Sequence, residues 1–284
     1  MGKTRHWLAL LVSLGLLAWA PIASATTLVG GSAAPTDERW DTAVASSSLL
    51  ESGGPPEFGR CIKTTGGKYE DSGCTRTGAG KNYEWYPAFG SSLPLVKTGF
   101  SNVIKEGTVA ELETVGGSLV TCTGETATGK ITGNKTVNGV VVTFTGCSAF
   151  GVSCKTEGAA QGTVVTSTLE GVLGVEEVGA EPSLNKIGEA LFPVGHSGLI
   201  AELKCAWPMT IAGSIISPVT ANAMKLTATV KSKAVKGKQR PEAFVEEPPE
   251  VLMTTIESGA PEQAGETLTV TQTNEEKVEV NSVL

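Results

Sequence analysis

The residues of this chain that could do chemistry mostly lack the neighbours that chemistry needs. Val194-Gly195-His196-Ser197-Gly198-Leu199 sets a histidine beside a serine among glycines. A nucleophile elbow requires G-x-S-x-G on a strand-to-helix turn, which lifts the serine above a sheet. Here Leu199 takes the place of the last glycine, and the residues after it alternate as a strand does. Adjacent side chains on an extended chain point to opposite faces, so His196 is badly placed to deprotonate Ser197. The stretch reads as a turn. Gly78-Ala79-Gly80-Lys81 has the outline of a phosphate loop. Thr75 stands where the first glycine belongs, however, and Asn82 where a Ser or Thr would meet the metal. The chain has no D-x-D-x-D-G calcium loop and no C-x-x-C pair, and beyond His6 its one histidine is His196. That is too little for the usual zinc ligand sets, so no metal or cofactor is expected.

Paired carboxylates are a different matter, because their spacing in sequence says nothing about their separation in space. Glu70, Asp71 and Glu84 lie among Tyr69, Tyr83, Trp85 and Tyr86, the densest aromatic cluster in the chain. Aromatic faces beside acids suit a sugar, so Tyr69, Tyr83, Trp85 and Tyr86 are candidate ligand contacts. The competing reading is that they pack the core of a small stapled subdomain.

Six cysteines occur, at 61, 74, 122, 147, 154 and 205. An even number in an exported chain favours disulfides. Proximity suggests Cys61–Cys74 around the turn Thr64-Thr65-Gly66-Gly67, and Cys147–Cys154 around a six-residue loop. Cys122–Cys205 then follows by elimination, and would set Thr121–Thr123 beside Lys204–Ala206.

The elements that position these residues are strands. From Cys61 onward short runs of Thr, Val and Gly alternate polar with apolar. Strands are expected at 108–114, 118–123, 137–145, 163–169, 199–205, 209–216, 225–231 and 252–257. In 225–231, Leu226, Ala228 and Val230 share one face. A three-residue loop, Val115-Gly116-Gly117, would set Leu112 opposite Val120 and Ala110 opposite Cys122, with Gly117 in the left-handed position. The same logic at the C-terminus gives a hairpin of 267–271 with 277–280 around Asn274-Glu275-Glu276. Glu246-Glu247-Pro248-Pro249-Glu250 reads as a loop. The expected fold is all-β, an antiparallel sandwich or partly open barrel stapled by disulfides. It occupies 58–284 as one domain, or as two smaller sandwiches meeting near Glu181-Pro182.

Ahead of it, residues 1–25 have the parts of a cleavable signal peptide. Lys3 and Arg5 are followed by an uncharged apolar run from Trp7 to Ala20, and Ala23-Ser24-Ala25 supplies the small residues of a cleavage site. That run is short of the roughly 20 residues a membrane span needs. Residues 26–57, rich in Gly, Ser, Ala and Pro, form a linker, either unstructured or holding one short helix capped by Thr36. Of 22 Lys and Arg two lie in the leader, against 29 Asp and Glu, so the mature chain is acidic. Such a chain gains nothing from neutralising phosphates and is repelled by anionic lipid. Nucleic acid is excluded as a partner, and no membrane insertion is expected after cleavage.

Pro56-Glu57-Phe58-Gly59-Arg60-Cys61, Tyr83-Glu84-Trp85-Tyr86-Pro87, Thr143-Phe144-Thr145-Gly146-Cys147 and Gln272-Thr273-Asn274-Glu275-Glu276 together carry a resemblance. The chain resembles a group of exported actinobacterial proteins, from about Pro56 to its end. The resemblance implies export and one contiguous unit, and brings no catalytic residue with it. The sequence therefore favours a secreted or surface-associated, non-enzymatic binding or structural module. A glycan or cell-envelope component is a candidate partner. The alternative is an extracellular carbohydrate-active enzyme using a carboxylate pair.

Overall fold

The computed structural model describes residues 56–283. The leader, the Thr36 helix and nearly all of the linker lie outside them. Among the described residues the chain forms strands joined by turns, with no α-helix. They begin with β1 (Glu57–Lys63), β2 (Tyr83–Pro87), β3 (Gly99–Ile104), β4 (Ala110–Thr114), β5 (Leu119–Cys122) and β6 (Gly124–Ile131). Next come β7 (Thr136–Thr145), β8 (Ser148–Ala149), β9 (Val152–Ser153), β10 (Val164–Val165), β11 (Leu169–Glu177) and β12 (Lys186–Pro193). The remainder are β13 (Leu199–Lys204), β14 (Pro208–Gly213), β15 (Ile215–Val219), β16 (Lys225–Val235), β17 (Lys238–Arg240), β18 (Leu252–Ile256) and β19 (Glu262–Asn281). The ladders between them are antiparallel, as expected for an all-β chain of this composition.

Two runs of strands share β19. One follows the order β16-β19-β3-β6-β7-β11-β12-β15. Its end strands approach each other where the Ser217 and Ser232 hydroxyls meet at 2.8 Å. The other follows β13-β14-β18-β19-β4-β5-β8-β9. Apolar residues at alternate positions of both runs merge into one core that includes Val120, Ile131, Val140, Leu173, Ile187 and Leu203. Burying them removes apolar area from water at about 25 cal/mol per Å².

The hairpin β4–β5 has the register the alternation predicts. Ala110 pairs with Cys122, Glu111 with Thr121 and Leu112 with Val120. Gly117 takes a φ of 87° and its N–H donates to the Thr114 carbonyl, closing the loop.

The C-terminal hairpin is not formed. β19 runs unbroken for 20 residues, far beyond a typical strand. It pairs first with β18 and β4, then with β16 and β3, and finally with β1. Asn274-Glu275-Glu276 is where β3 gives way to β1, and there the pairing with β16 also slips. Its acids do not cap a turn. They accept hydrogen bonds from the chain entering β3, Glu276 from the Val96 and Lys97 N–H groups in the preceding loop and Glu275 from Gly99 at the start of the strand.

Two other expected strands are divided. The run 163–169 splits into β10 and the start of β11, and 209–216 breaks at Ser214 into β14 and β15. Gly213, at φ 90°, makes the second break, carrying the chain from one run of strands to the other. Of the expected face of 225–231, Ala228 and Val230 turn partly inward, whereas Leu226 stays exposed.

The bridges are Cys61–Cys74, Cys122–Cys147 and Cys154–Cys205. The first matches the expectation, while Cys147–Cys154 and Cys122–Cys205 are corrected. Strand order is the reason. β5 lies between β4 and β8, so Cys122 faces Cys147 with Cα atoms 4.0 Å apart. Lys155 bridges to Lys204, which brings Cys154 to Cys205 at 4.2 Å. Thr121–Thr123 consequently does not lie beside Lys204–Ala206.

Candidate functional site

The aromatic cluster comes together, but largely as a core. Tyr69 and Trp85 are buried against the Cys61–Cys74 bridge, with Tyr83 packed on them. Tyr86, one step along β2 from Trp85, points to the opposite face and is half-buried. The neighbouring acids hold turns. Glu84 accepts from the Lys68 N–H at 3.0 Å, and Glu70 from the Gly80 N–H at 3.2 Å. The Gly78–Lys81 loop thus points a backbone N–H at a carboxylate of this chain. Asp71 accepts from the Thr75 and Arg76 N–H groups at 2.9 and 3.1 Å and from the Thr75 hydroxyl. Burial pushes its pKa up, but these hydrogen bonds outweigh that and hold it below its usual range. His196 closes a 3-10 turn between β12 and β13, and its ring stacks on Phe192 with centroids 3.7 Å apart.

The site the residues do build lies elsewhere. A cavity of about 160 Å³ opens in the core, walled by side chains from both runs of strands. Every strand of the run from β16 to β15 contributes, among them Val230, Val270, Phe100, Val142, Leu191 and Val219. Most of the wall is aliphatic, yet Glu111, Glu125, Glu189 and Glu266 also line it, with Asn102, Gln272, Ser217 and Ser232. The lining contains no Lys, Arg or His.

Local alternation explains why three of the four acids are turned inward. Glu125 is in phase with Ala127 and Ile131 on β6, Glu189 with Ile187 and Leu191 on β12, and Glu266 with Leu268 and Val270 on β19. An acid on the apolar phase of a strand was therefore the signal available in the sequence, and the residue-by-residue search for motifs missed it.

Burial governs their chemistry. Glu125 is only 3% exposed, and its Oε2 has no hydrogen-bond partner. The Asn102 Oδ1 is likewise buried and unpartnered. Glu189 and Glu266 are half-buried, and both line the cavity. A carboxylate out of water costs several kcal/mol unless paired, so the protonated form is favoured. Burial pushes Glu125 and Glu189 up to about 7. Glu266 rises to about 8, by burial first and then by the charge of Glu125. These groups are neutral hydrogen-bonding acids below neutrality and become anions above it, or when a cation arrives. No group of three His, Cys, Asp or Glu among the described residues is placed to hold a metal ion.

The chain matches no family model, no curated protein and no solved structure, so its function is argued from its own residues.

Proposed function

We propose that this protein is an exported, non-enzymatic binding module that takes a small, largely apolar molecule into its internal cavity. The observation behind this reading is a largely aliphatic cavity that Glu125, buried and with one oxygen unpartnered, helps to line. Native interiors close such gaps, and a buried polar atom without a partner costs about 1–3 kcal/mol. A ligand occupying the cavity offsets both. An engineered cavity of about 150 Å³ accepts benzene, which sets the scale of the occupant.

Export is supported by the signal-like leader and by three disulfides, the bonding pattern of an oxidising compartment. Among the described residues no helix is long and apolar enough to cross a membrane. The acidic balance disfavours nucleic acid and anionic lipid as partners. A glycan or cell-envelope partner would have to use the outer surface, where Tyr83 and Tyr86 are the half-buried members of the aromatic cluster. The carboxylate-pair enzyme has less support. Glycoside hydrolysis needs room for sugar rings on both sides of the bond, and a benzene-sized cavity does not provide it.

Titration with benzene, followed by NMR shifts of the Val142, Leu191 and Val270 methyl groups, tests the reading. Saturable shifts at those methyls are expected. Shifts confined to the outer surface, or none at all, would overturn it.

A further inference from the structure

The run of strands from β16 to β15 almost closes on itself. Antiparallel ladders join each strand of it to the next. Among the described residues the ladder that would complete the ring is not formed, for β15 pairs with β12 alone and β16 with β19 and β17. Chain order makes this unexpected. β15 and β16 are consecutive, run in opposite directions and are separated only by residues 220–224, the usual condition for a hairpin. Three features account for the gap. Pro218 has no N–H to give a partner. The connection is drawn away to β19, where Ala221 bridges Val280 and the Asn222 N–H donates to the Val280 carbonyl at 2.7 Å. Beyond Ser232, β16 turns to β17, with Lys233 opposite Arg240. The hydrogen bond that does cross the seam joins the Ser217 and Ser232 hydroxyls, 2.8 Å apart.

This seam borders the interior along its length. Ile215, Ser217 and Val219 of β15 line the cavity, as do Val230 and Ser232 of β16. Val219 and Val230 also line an adjoining space of about 50 Å³ that Thr220 and Ala223 of the connection border. On the outside, Ile216 is covered by Phe244, whereas Thr229 and Lys231 of β16 are exposed. We infer that the seam between β15 and β16 is the entrance to the cavity, latched by Ser217 and Ser232. The inference rests on reading the cavity as a ligand site. Parting any two laddered strands of the run breaks several backbone hydrogen bonds, whereas parting β15 from β16 exchanges one hydroxyl pair for water. Both strands stay anchored meanwhile, β15 to β12 and β16 to β19. A small apolar molecule thus enters by local opening, without unfolding of the core.

Benzene exchange, read from the Val142, Leu191 and Val270 methyl signals, tests it. In the Ser217→Cys/Ser232→Cys variant a disulfide closes the seam, its formation checked by non-reducing peptide mapping. Association and dissociation should both slow by about tenfold or more, because a gate acts on entry and exit alike. Ser217→Ala/Ser232→Ala removes the latch, and exchange should quicken by about threefold to tenfold, the worth of one hydrogen bond. The control is Thr126→Cys/Thr143→Cys, a crosslink between paired residues of β6 and β7 outside the cavity lining. Exchange there should keep the parent rate. Parent rates in the crosslinked seam, or equal slowing in the control, would overturn the inference and leave the cavity reading standing. If the seam crosslink prevents folding, the alanine pair decides, and exchange no faster than the parent's would overturn the inference. Absence of benzene-induced shifts in the parent protein would end both readings.

Discussion

Glu125 and Glu266 share one cavity, close enough that ionising the first makes the second harder to ionise. Both carboxyls hold their protons to about 7 and about 8, against 4.5 for an ordinary glutamate. Glu279, 1% exposed with both oxygens unpartnered, behaves likewise, at about 8.

A pH dependence of stability follows. Between pH 4.5 and 8 the unfolded chain has lost these protons and the folded one keeps them, so stability falls as pH rises. Their contribution is complete below about 4.5 and gone above about 8. A carboxyl that keeps its proton one pH unit longer in the folded chain contributes about 1.4 kcal/mol at most. Water entry reduces that, so a loss on the order of a few kcal/mol is expected. Urea midpoints should be higher at pH 5 than at pH 8, with Glu125→Gln and Glu266→Gln flattening the slope. Flat midpoints in the parent protein would mean that these acids are ionised in the folded state.

The disulfides can be mapped directly. Non-reducing peptide mapping should return Cys61–Cys74, Cys122–Cys147 and Cys154–Cys205. Replacing Cys154 and Cys205 by alanine opens a closure of 51 residues, worth about 4 kcal/mol on the loop-entropy model. Removing Cys61–Cys74, which closes 13, should cost about 3 kcal/mol. A smaller loss for the longer closure would count against that ordering.

Gly59 leaves no room for a side chain. A Cβ there would lie 2.4 Å from the Tyr86 carbonyl oxygen and 2.5 Å from the Trp85 ring. Gly59→Ala should therefore destabilise the protein by about 1–3 kcal/mol and change the near-ultraviolet circular dichroism of Trp85. Wild-type melting with an unchanged spectrum would show that β1 and the Trp85 ring leave space between them.

Glu276 anchors the loop before β3 through two N–H groups and lies 3.7 Å from Arg60. Glu276→Ala should speed hydrogen exchange at Val96 and Lys97 by severalfold. The contacts are partly exposed, so only about 1 kcal/mol of global stability should be lost. Unaltered exchange at both amides would remove the carboxylate from its role in β19.

How much of this was legible in the sequence depended on distance along the chain. The register of β4 and β5 was readable because two adjacent segments and a loop with Gly117 determine it. The chain path at Asn274–Glu276 was not, since its polar residues resemble a turn unless β1 and β3, more than 150 residues earlier, are known to pair there. Two of the three expected cysteine pairs failed for the same reason: short loops suggested Cys147–Cys154, and strand order decided otherwise. Three of the four cavity acids, Glu125, Glu189 and Glu266, were visible on apolar phases. That all three line one space required the sheet order.

The length of β19 also bears on when this protein can fold. Its partners β1, β3, β4, β16 and β18 are all made before it, and Glu57 waits for Asn281. Neither run of strands is continuous until residues 262–281 have emerged. Such distant pairing slows folding, a delay that suits the export proposed above. The strand that joins the two runs is thus also a timer that holds the nascent chain open.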